Sequence, residues 1–391
     1  MTGELLVAGG GIAGLAAALA ARRAGWEARL FEQAESFSEV GAGIQLGPNV
    51  TRILREWQLL EAVEHQAWRP PHLRTRDGLD GRLLASLSFA DVERRYGAPY
   101  LTLHRADLQA ALLAAARAAE VRLHSGRKVV AVTEFGTGVR VQPNVGPEAE
   151  AEALVGADGL WSMVRSAVCG AVPPRLTGDL AYRGLVACAD LPPALRDRDV
   201  TVWLAPRMHL VSYPVRGGEW MNVVCVVEGS VRDDPRGWDH SAVLSELEAA
   251  IGAIATEARD LLRAVPAWRL WVLHDRPPVA GAEDLARGRI ALLGDAAHPM
   301  RPYLAQGAGM AIEDARELER VLAVADGRVL DVPTALRRYA LSRWERVAEV
   351  QRRSRRNGAI FHATGPLRWG RNLALRVRGA RLLDQPWLYG Q

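Results

Sequence analysis

The run Leu5-Leu6-Val7-Ala8-Gly9-Gly10-Gly11-Ile12-Ala13-Gly14 contains GxGxxG at Gly9, Gly11 and Gly14. A glycine pattern that leaves a short buried strand and opens a helix gives each glycine a mechanical task. These are the tight turn, the close approach of backbone to a pyrophosphate, and helix–strand packing. The helix N-terminus adds free N–H groups and a partial positive charge for phosphates. Glu32 closes the next strand, Glu27 to Glu32, where it can accept hydrogen bonds from a ribose hydroxyl. By itself this pattern describes a dinucleotide site and does not separate NAD from FAD.

Three further runs carry chemistry. Gly288-Arg289-Ile290-Ala291-Leu292-Leu293-Gly294-Asp295 reads as a buried strand ending in Gly-Asp, and an acid so far along the chain from Glu32 suits a second contact to a long cofactor. Gln306-Gly307-Ala308-Gly309-Met310 opens a helix whose N-terminus favours negative charge. In His209-Leu210-Val211-Ser212-Tyr213, residues four apart on a strand share a face, so His209 and Tyr213 can serve one pocket or simply fill the sheet. Arg301 or Arg183 could pair with a substrate carboxylate, against a default of solvated arginines.

The elements that must position these residues alternate in style. Leu5–Ala8, the helix Leu15 to Ala24 stopped by Gly25, and Glu27–Glu32 form a βαβ unit. A helix over Arg105 to Glu120 precedes alternating segments at Arg127–Thr133 and Gly138–Gln142, then a buried strand at Ala153–Ala157. From about Leu176 to Leu273 the segments Leu180–Ala187, Val200–Leu204, His209–Val215 and Trp220–Val227 read as antiparallel strands, with a helix near Ser241–Ile254. The parallel style returns at Arg289–Gly294, and helices follow at about Ala308–Ala325 and Thr334–Arg356, with a helix and tail over Pro366–Gln391. The expected fold is therefore α/β (α+β). A Rossmann-like dinucleotide domain (1–72, 98–175 and 276–365) is interrupted by a mostly antiparallel sheet domain (73–97 and 176–275), and C-terminal helices (366–391) close the chain.

Composition bounds the partners. A chain of 391 residues can build two cores. With 49 basic and 45 acidic residues the net charge is +4, and the arginines are scattered, so nucleic acid is not an expected partner. Cys169, Cys188 and Cys225 are too few and too dispersed for a disulfide framework or a metal knuckle, which leaves no metal site expected and a cytoplasmic setting. No signal-peptide pattern opens the sequence and no uncharged run reaches ~18 residues, so no membrane span is expected.

The ordered motifs resemble the flavoprotein aromatic hydroxylases, the single-component FAD-dependent monooxygenases that include 3-hydroxybenzoate 6-hydroxylase, salicylate hydroxylase and 6-hydroxynicotinate 3-monooxygenase. The resemblance spans about Glu4 to Glu345 and rests on GxGxxG, on Asp158-Gly159 followed by Ser162-Met163-Val164-Arg165, on His104-Arg105-Ala106-Asp107-Leu108 and on Gly294-Asp295. It implies FAD held by Gly9, Gly11, Ala13, Gly14, Glu32, Gln33, Gln45, Arg105, Val129, Asp158, Asp295, Gly307, Ala308 and Gly309. Asp295 takes the ribityl chain in this reading, and Gly41-Ala42-Gly43-Ile44-Gln45 is the loop along the flavin. The same resemblance implies hydroxylation of a small aromatic acid with NADH or NADPH and O2 through a flavin C4a-hydroperoxide. His209 and Tyr213 would hold and deprotonate the substrate hydroxyl, Pro302 and Tyr303 would line the pocket, and the chain would be a monomer or homodimer. Pro302 stands where the 3-hydroxybenzoate 6-hydroxylases tend to carry glutamine.

Two alternatives use the same scaffold. One is another FAD-dependent oxidoreductase acting on a larger secondary metabolite; the other is a non-catalytic flavin-binding protein. A disulfide reductase lacks support because no redox CxxxxC is present, and a flavin halogenase because Trp268 and Trp271 do not make its WxWxIP motif. Intact cofactor motifs argue against the non-catalytic reading.

Overall fold

The computed structural model describes residues 3–37, 42–230, 240–323 and 331–390. It divides into two compact units. One comprises Met1–Val40, Ala106–Arg175 and Asp275–Ser354; the other comprises Gly41–Arg105, Leu176–His274 and Arg355–Gln391.

The first unit is built on a six-stranded sheet in which Glu4–Ala8 lies between Ala153–Gly156 and Glu27–Phe31. Arg122–His124 and Ile290–Leu292 extend it in parallel on either side, and only the short strand Ala286–Arg287 runs antiparallel at one edge. Parallel strands are buried on both faces, and Leu5, Leu6, Val7, Leu154 and Val155 are accordingly inaccessible. Helix Ile12–Arg23 buries its alanines and packs against helix Gly307–Leu322. Small side chains let the two helices approach closely. A three-stranded sheet of Val129–Phe135, Gly138–Pro143 and Ala149–Ala151 completes the unit's β-structure.

The second unit is organised by an eight-stranded sheet, antiparallel except where Val200–Ala205 runs parallel to His72–Asp77. Its long central strands are Arg175–Ala187, Trp220–Glu228 and Met208–Val215. Along each strand alternate residues enter one apolar core: Leu180 and Tyr182 on the first, Met221, Val223 and Cys225 on the second, Met208 and Leu210 on the third. Helices Leu244–Ile251 and Thr256–Ala264 cover that core with Leu247, Leu261 and Leu262. The expected single helix over Ser241–Ile254 is therefore corrected: His240–Ala242 joins the sheet edge, and Gly252, at φ +63°, separates two helices. A small antiparallel pair, Gly43–Leu46 with Leu101–His104, belongs to this unit as well.

Helices Gly365–Arg378, Ala380–Leu383 and Pro386–Tyr389 end the chain, as the C-terminal helices of the sequence reading. The mixed α/β class and the mostly antiparallel second sheet are as the sequence implies. Among the described residues no helix is long and apolar enough to cross a membrane. Cys169, Cys188 and Cys225 are all free.

Candidate active site

In the first unit the parallel register sets Ala8 beside Gly156 and Phe31, and Gly156 beside Leu292. The residues that follow these strand ends are Gly9, Asp158, Glu32 and Asp295. Residues from three distant stretches of the chain thus emerge at one carboxyl edge of one sheet, the place where open α/β sheets bind ligands.

The glycines there are under steric demand. Gly9 has φ +104°, and a Cβ on it would lie 2.3 Å from the Ala157 carbonyl oxygen. A Cβ on Gly14 would lie 1.8 Å from the Gly9 carbonyl oxygen, so the turn closes only without side chains. Gly11 caps helix Ile12–Arg23 with no side-chain hydrogen bond, which leaves the first helical amides available. Gly294, at φ +57°, packs where a Cβ would sit 2.8 Å from that of Ala13, joining the Gly-Asp motif to the first turn.

The carboxylates differ in their commitments. Glu32 accepts from the Gly10 amide at 2.5 Å and the Ala34 amide at 2.7 Å, which holds the strand end against the glycine turn. Asp158 is raised in pKa by burial, opposed by hydrogen bonds from the Ser162 hydroxyl and from the Met163 and Val164 amides. Its carboxylate thereby orders the turn into helix Val164–Cys169. Asp295 is different: it is exposed and makes no hydrogen bond or ion pair among the described residues. An unpaired acid at a strand end is available to a hydroxylated ligand.

Five other expected residues belong to this unit. Gln33 is exposed directly after Glu32. Val129 is reached through Arg127, whose amide donates to the Glu32 carbonyl at 2.7 Å. Helix Gly307–Leu322 begins with Gly307, Ala308 and Gly309 behind a buried Gln306 and no side-chain cap. A Cβ on Gly307 would meet nothing within 4 Å, so no neighbour in the protein explains that glycine. These features fit the residues to a dinucleotide: a closed glycine turn, an uncapped helix start, a free acid and an unfilled cradle. Pro302 and Tyr303 lie in a short 3-10 turn in the same unit, with Tyr303 buried and Ala305 in the left-handed region at φ +52°.

In the second unit Gln45 lies within the small strand pair, opposite Thr102, and Arg105 follows it, its amide donating to the Ala42 carbonyl at 3.0 Å. Gly41, part of the expected flavin loop, lies outside the described residues. The Tyr100 hydroxyl donates to Gln45 Oε1 at 2.6 Å. Gln45 also hydrogen-bonds Tyr213, whose phenol burial pushes up to about 12 despite the opposing influence of Arg183 and of this bond. A Cβ on Gly43 would strike the Tyr213 ring at 2.6 Å and Asn222 at 2.7 Å, while its amide donates to Asn222 Oδ1 at 2.7 Å.

His209 and Tyr213 do share one face, opposite the apolar core to which Met208 and Leu210 contribute. They do not share partners. Val211 stands between them, and four residues of strand separate them by ~13 Å. His209 lies 3.0 Å from His362 through Nδ1 and edge-on to Phe361 at 5.3 Å between ring centroids. Burial first, then the neighbouring His362, holds the His209 pKa well below the usual histidine range.

The structure also revises the arginines. Arg301 pairs with buried Asp275 at 2.9 Å, so its charge is already neutralised and it is not a spare anion site. Arg183 has no such acid. Arg165, the last residue of the Asp158–Arg165 signature, donates to the Ala296 and Ala297 carbonyls at 3.1 and 2.7 Å and so ties the Asp-Gly segment to the Gly-Asp turn, a contact the sequence did not indicate. Sequence reasoning missed His362, 153 positions from its partner, for which no local signal exists.

Comparison with known proteins places these arrangements in context. The FAD binding domain family matches residues 2–354. The chain is 41% identical over 389 residues to 3-amino-4-hydroxybenzoate 2-monooxygenase of Streptomyces platensis, covering 99% of this chain and 96% of that protein. It is 36% identical over 391 residues to 3-hydroxybenzoate 6-hydroxylase of Polaromonas naphthalenivorans, covering 99% and 95%. A solved salicylate hydroxylase substrate complex superposes with a TM-score of 0.82 at 26% identity, covering 100% of this chain and 96% of that one.

Proposed function

The chain belongs to the FAD binding domain family and is an FAD-dependent aromatic monooxygenase, and from that premise we propose that it hydroxylates a small hydroxybenzoate- or hydroxypyridine-carboxylate-like acid with NADH or NADPH and O2. The balance is aromatic C–H, O2, NAD(P)H and a proton in; aromatic C–OH, water and NAD(P)+ out. The unpaired Asp295 at the shared strand edge is the observation that carries the reading within this chain.

FAD, when bound, supplies the redox and oxygen-activating chemistry that side chains lack. Gly9, Gly11, Ala13 and Gly14 present backbone to the pyrophosphate, Glu32 and Gln33 serve the adenosine side, and Val129, Asp158 and Arg105 complete the cradle. Asp295 accepts from the ribityl hydroxyls. The helix start at Gly307, Ala308 and Gly309 offers its dipole to negative charge on the ring, and Gln45 is a further flavin contact.

For the substrate, His209 is the proton acceptor and Tyr213 orients the hydroxyl, with Pro302 and Tyr303 as pocket walls. Burial favours a neutral imidazole at His209, which is the form able to accept a proton. A phenolate is a better nucleophile than a phenol, so removing that proton speeds oxygen transfer. The enzyme works in the cytoplasm as a monomer or homodimer, with neither nucleic acid nor a membrane as partner.

The deciding experiment is a screen of aromatic acids by NAD(P)H oxidation, with product mass and hydrogen peroxide measured together. The expected result is a yellow protein that forms hydroxylated product, with flavin reduction accelerated by the true substrate. Nicotinamide oxidation with no flavin bound would overturn the reading. So would peroxide without product across the panel.

A further inference from the structure

One face of the eight-stranded sheet carries a half-buried cation that no acid among the described residues pairs. Arg183 sits on strand Arg175–Ala187 with Tyr182 turned into the apolar core, so Arg183 belongs to the other face. The register sets Arg183 opposite Val224 and Val224 opposite Val211. The next row on the same face runs Leu185, Asn222, Tyr213. Arg183 and Tyr213 therefore stand two strands and one row apart, near enough to influence each other's ionisation.

On the neighbouring strand Trp268, Leu270 and Val272 enter the core, which turns Trp271 toward Arg183. The guanidinium carbon lies 4.0 Å from the Trp271 ring centroid. That cation–π contact returns only part of what desolvation costs. Arg183 Nε is fully screened and has no hydrogen-bond acceptor. Among the described residues no carboxylate pairs with this side chain.

Three other sequestered arginines have partners for their terminal nitrogens, although Arg368 Nε, like Arg183 Nε, has none. Arg343 is held by Asp314 and Glu313 at 2.8 and 2.9 Å. Arg368 meets both oxygens of Asp77 at 2.8 and 2.6 Å. Arg371 donates to the carbonyls of Ile360, Phe361 and Leu204. Tyr213 cannot supply the missing charge, because its phenol stays protonated at neutral pH. Burial, with Arg105 adding repulsion, has lowered the Arg183 pKa to about 10, and the group is still a cation at neutral pH.

We infer that Arg183 is the anchor for the substrate carboxylate, a planar fork held by Trp271 and aimed across the sheet face that bears Tyr213. A carboxylate completes the fork with two parallel charge-assisted bonds and supplies the absent counter-charge. An aromatic acid held there by its carboxylate presents its ring on the Tyr213 side. Arg183 thereby becomes a specificity residue that selects acids over neutral phenols. This inference rests on the aromatic-acid reading above.

The test uses FAD-loaded enzyme and reads binding from the flavin absorbance. The probes are 3-hydroxybenzoate, 4-hydroxybenzoate, 3-amino-4-hydroxybenzoate and 6-hydroxynicotinate, each beside its carboxamide. Wild-type protein should bind at least one acid about 10-fold or more tighter than the matching amide. Arg183→Met should weaken that acid by about 30-fold or more while leaving the amide unchanged. Arg183→Lys keeps charge without the fork and should fall between. Equal affinity of wild-type protein for acid and amide would overturn the anchor, and needs no variant to fold. An equal loss for both probes in Arg183→Met would reduce Arg183 to a packing residue. Hydroxylation of neutral phenols without preference for acids sinks the anchor but leaves the monooxygenase reading standing; flavin-bound enzyme that neither binds nor converts any aromatic probe sinks both.

Discussion

His209 Nδ1 lies 3.0 Å from His362 Nε2, and both rings are buried. One nitrogen must donate and the other accept, so the two rings cannot both be protonated while that bond persists. His362 also stands 3.9 Å from Asp179 and 3.9 Å from Glu228. Burial and His362 both depress the folded pKa of His209. Above the unfolded value of ~6.5 the folded and unfolded states are both neutral there, and His209 contributes nothing to pH dependence. Below ~6.5 the unfolded chain takes up a proton that the folded chain refuses, so stability falls by up to ~1.4 kcal/mol per pH unit. Urea unfolding between pH 7.5 and 5 should show that decline, and His209→Gln should flatten it. An identical slope in the variant would remove His209 from the acid sensitivity.

The same residue tests the catalytic assignment. If His209 accepts the substrate proton, His209→Ala should cut hydroxylation by ~10²–10⁴-fold with FAD retained, partly relieved at pH values where the free phenol ionises. Tyr213→Phe removes one hydroxyl from the Gln45 network and should lose less, with more peroxide formed per nicotinamide consumed. Product yield, peroxide and melting temperature on both variants decide it. Lowered melting with unchanged turnover per folded molecule would make both residues sheet packing.

Asp295 allows a separation of ligand effects from folding effects. Its carboxylate makes no hydrogen bond or ion pair among the described residues, so Asp295→Ala should leave the unfolding free energy of flavin-free protein within ~0.5 kcal/mol of wild type. Flavin retention on gel filtration should drop. Full retention with an unchanged spectrum would count against Asp295 as a cofactor ligand.

The buried network around Asp314 should behave as pure structure. Burial alone would raise the Asp314 pKa, but His298 at 2.5 Å and Arg343 at 2.8 Å outweigh it and leave it lowered. A depressed carboxyl stabilises the fold above its unfolded pKa of ~3.9, and that contribution is lost as pH falls through the lower folded value. Asp314→Asn should cost ~3–5 kcal/mol at neutral pH by leaving Arg343 under-compensated. A loss under ~1 kcal/mol in chemical denaturation would show that the network relaxes around the change.

Much of this molecule was legible in one dimension because its signals are local. Gly9, Gly11 and Gly14 encode a turn through sterics that neighbouring residues impose, and Leu5–Ala8 and Ile290–Leu292 declare buried parallel strands by unbroken apolar runs. The alternation in Met208–Val215 and Trp220–Glu228 predicted a two-faced sheet, and His209 with Tyr213 on one face follows from a period of two. What a side chain meets across the fold has no such period. Sequence spacing alone could not pair His209 with His362, nor Arg301 with Asp275. Nor could it leave Arg183 beside Trp271 without an acid. The register of strands distant in sequence decides those encounters. It turned two arginines with the same sequence-level description into one neutralised ion pair and one unmatched, half-buried charge.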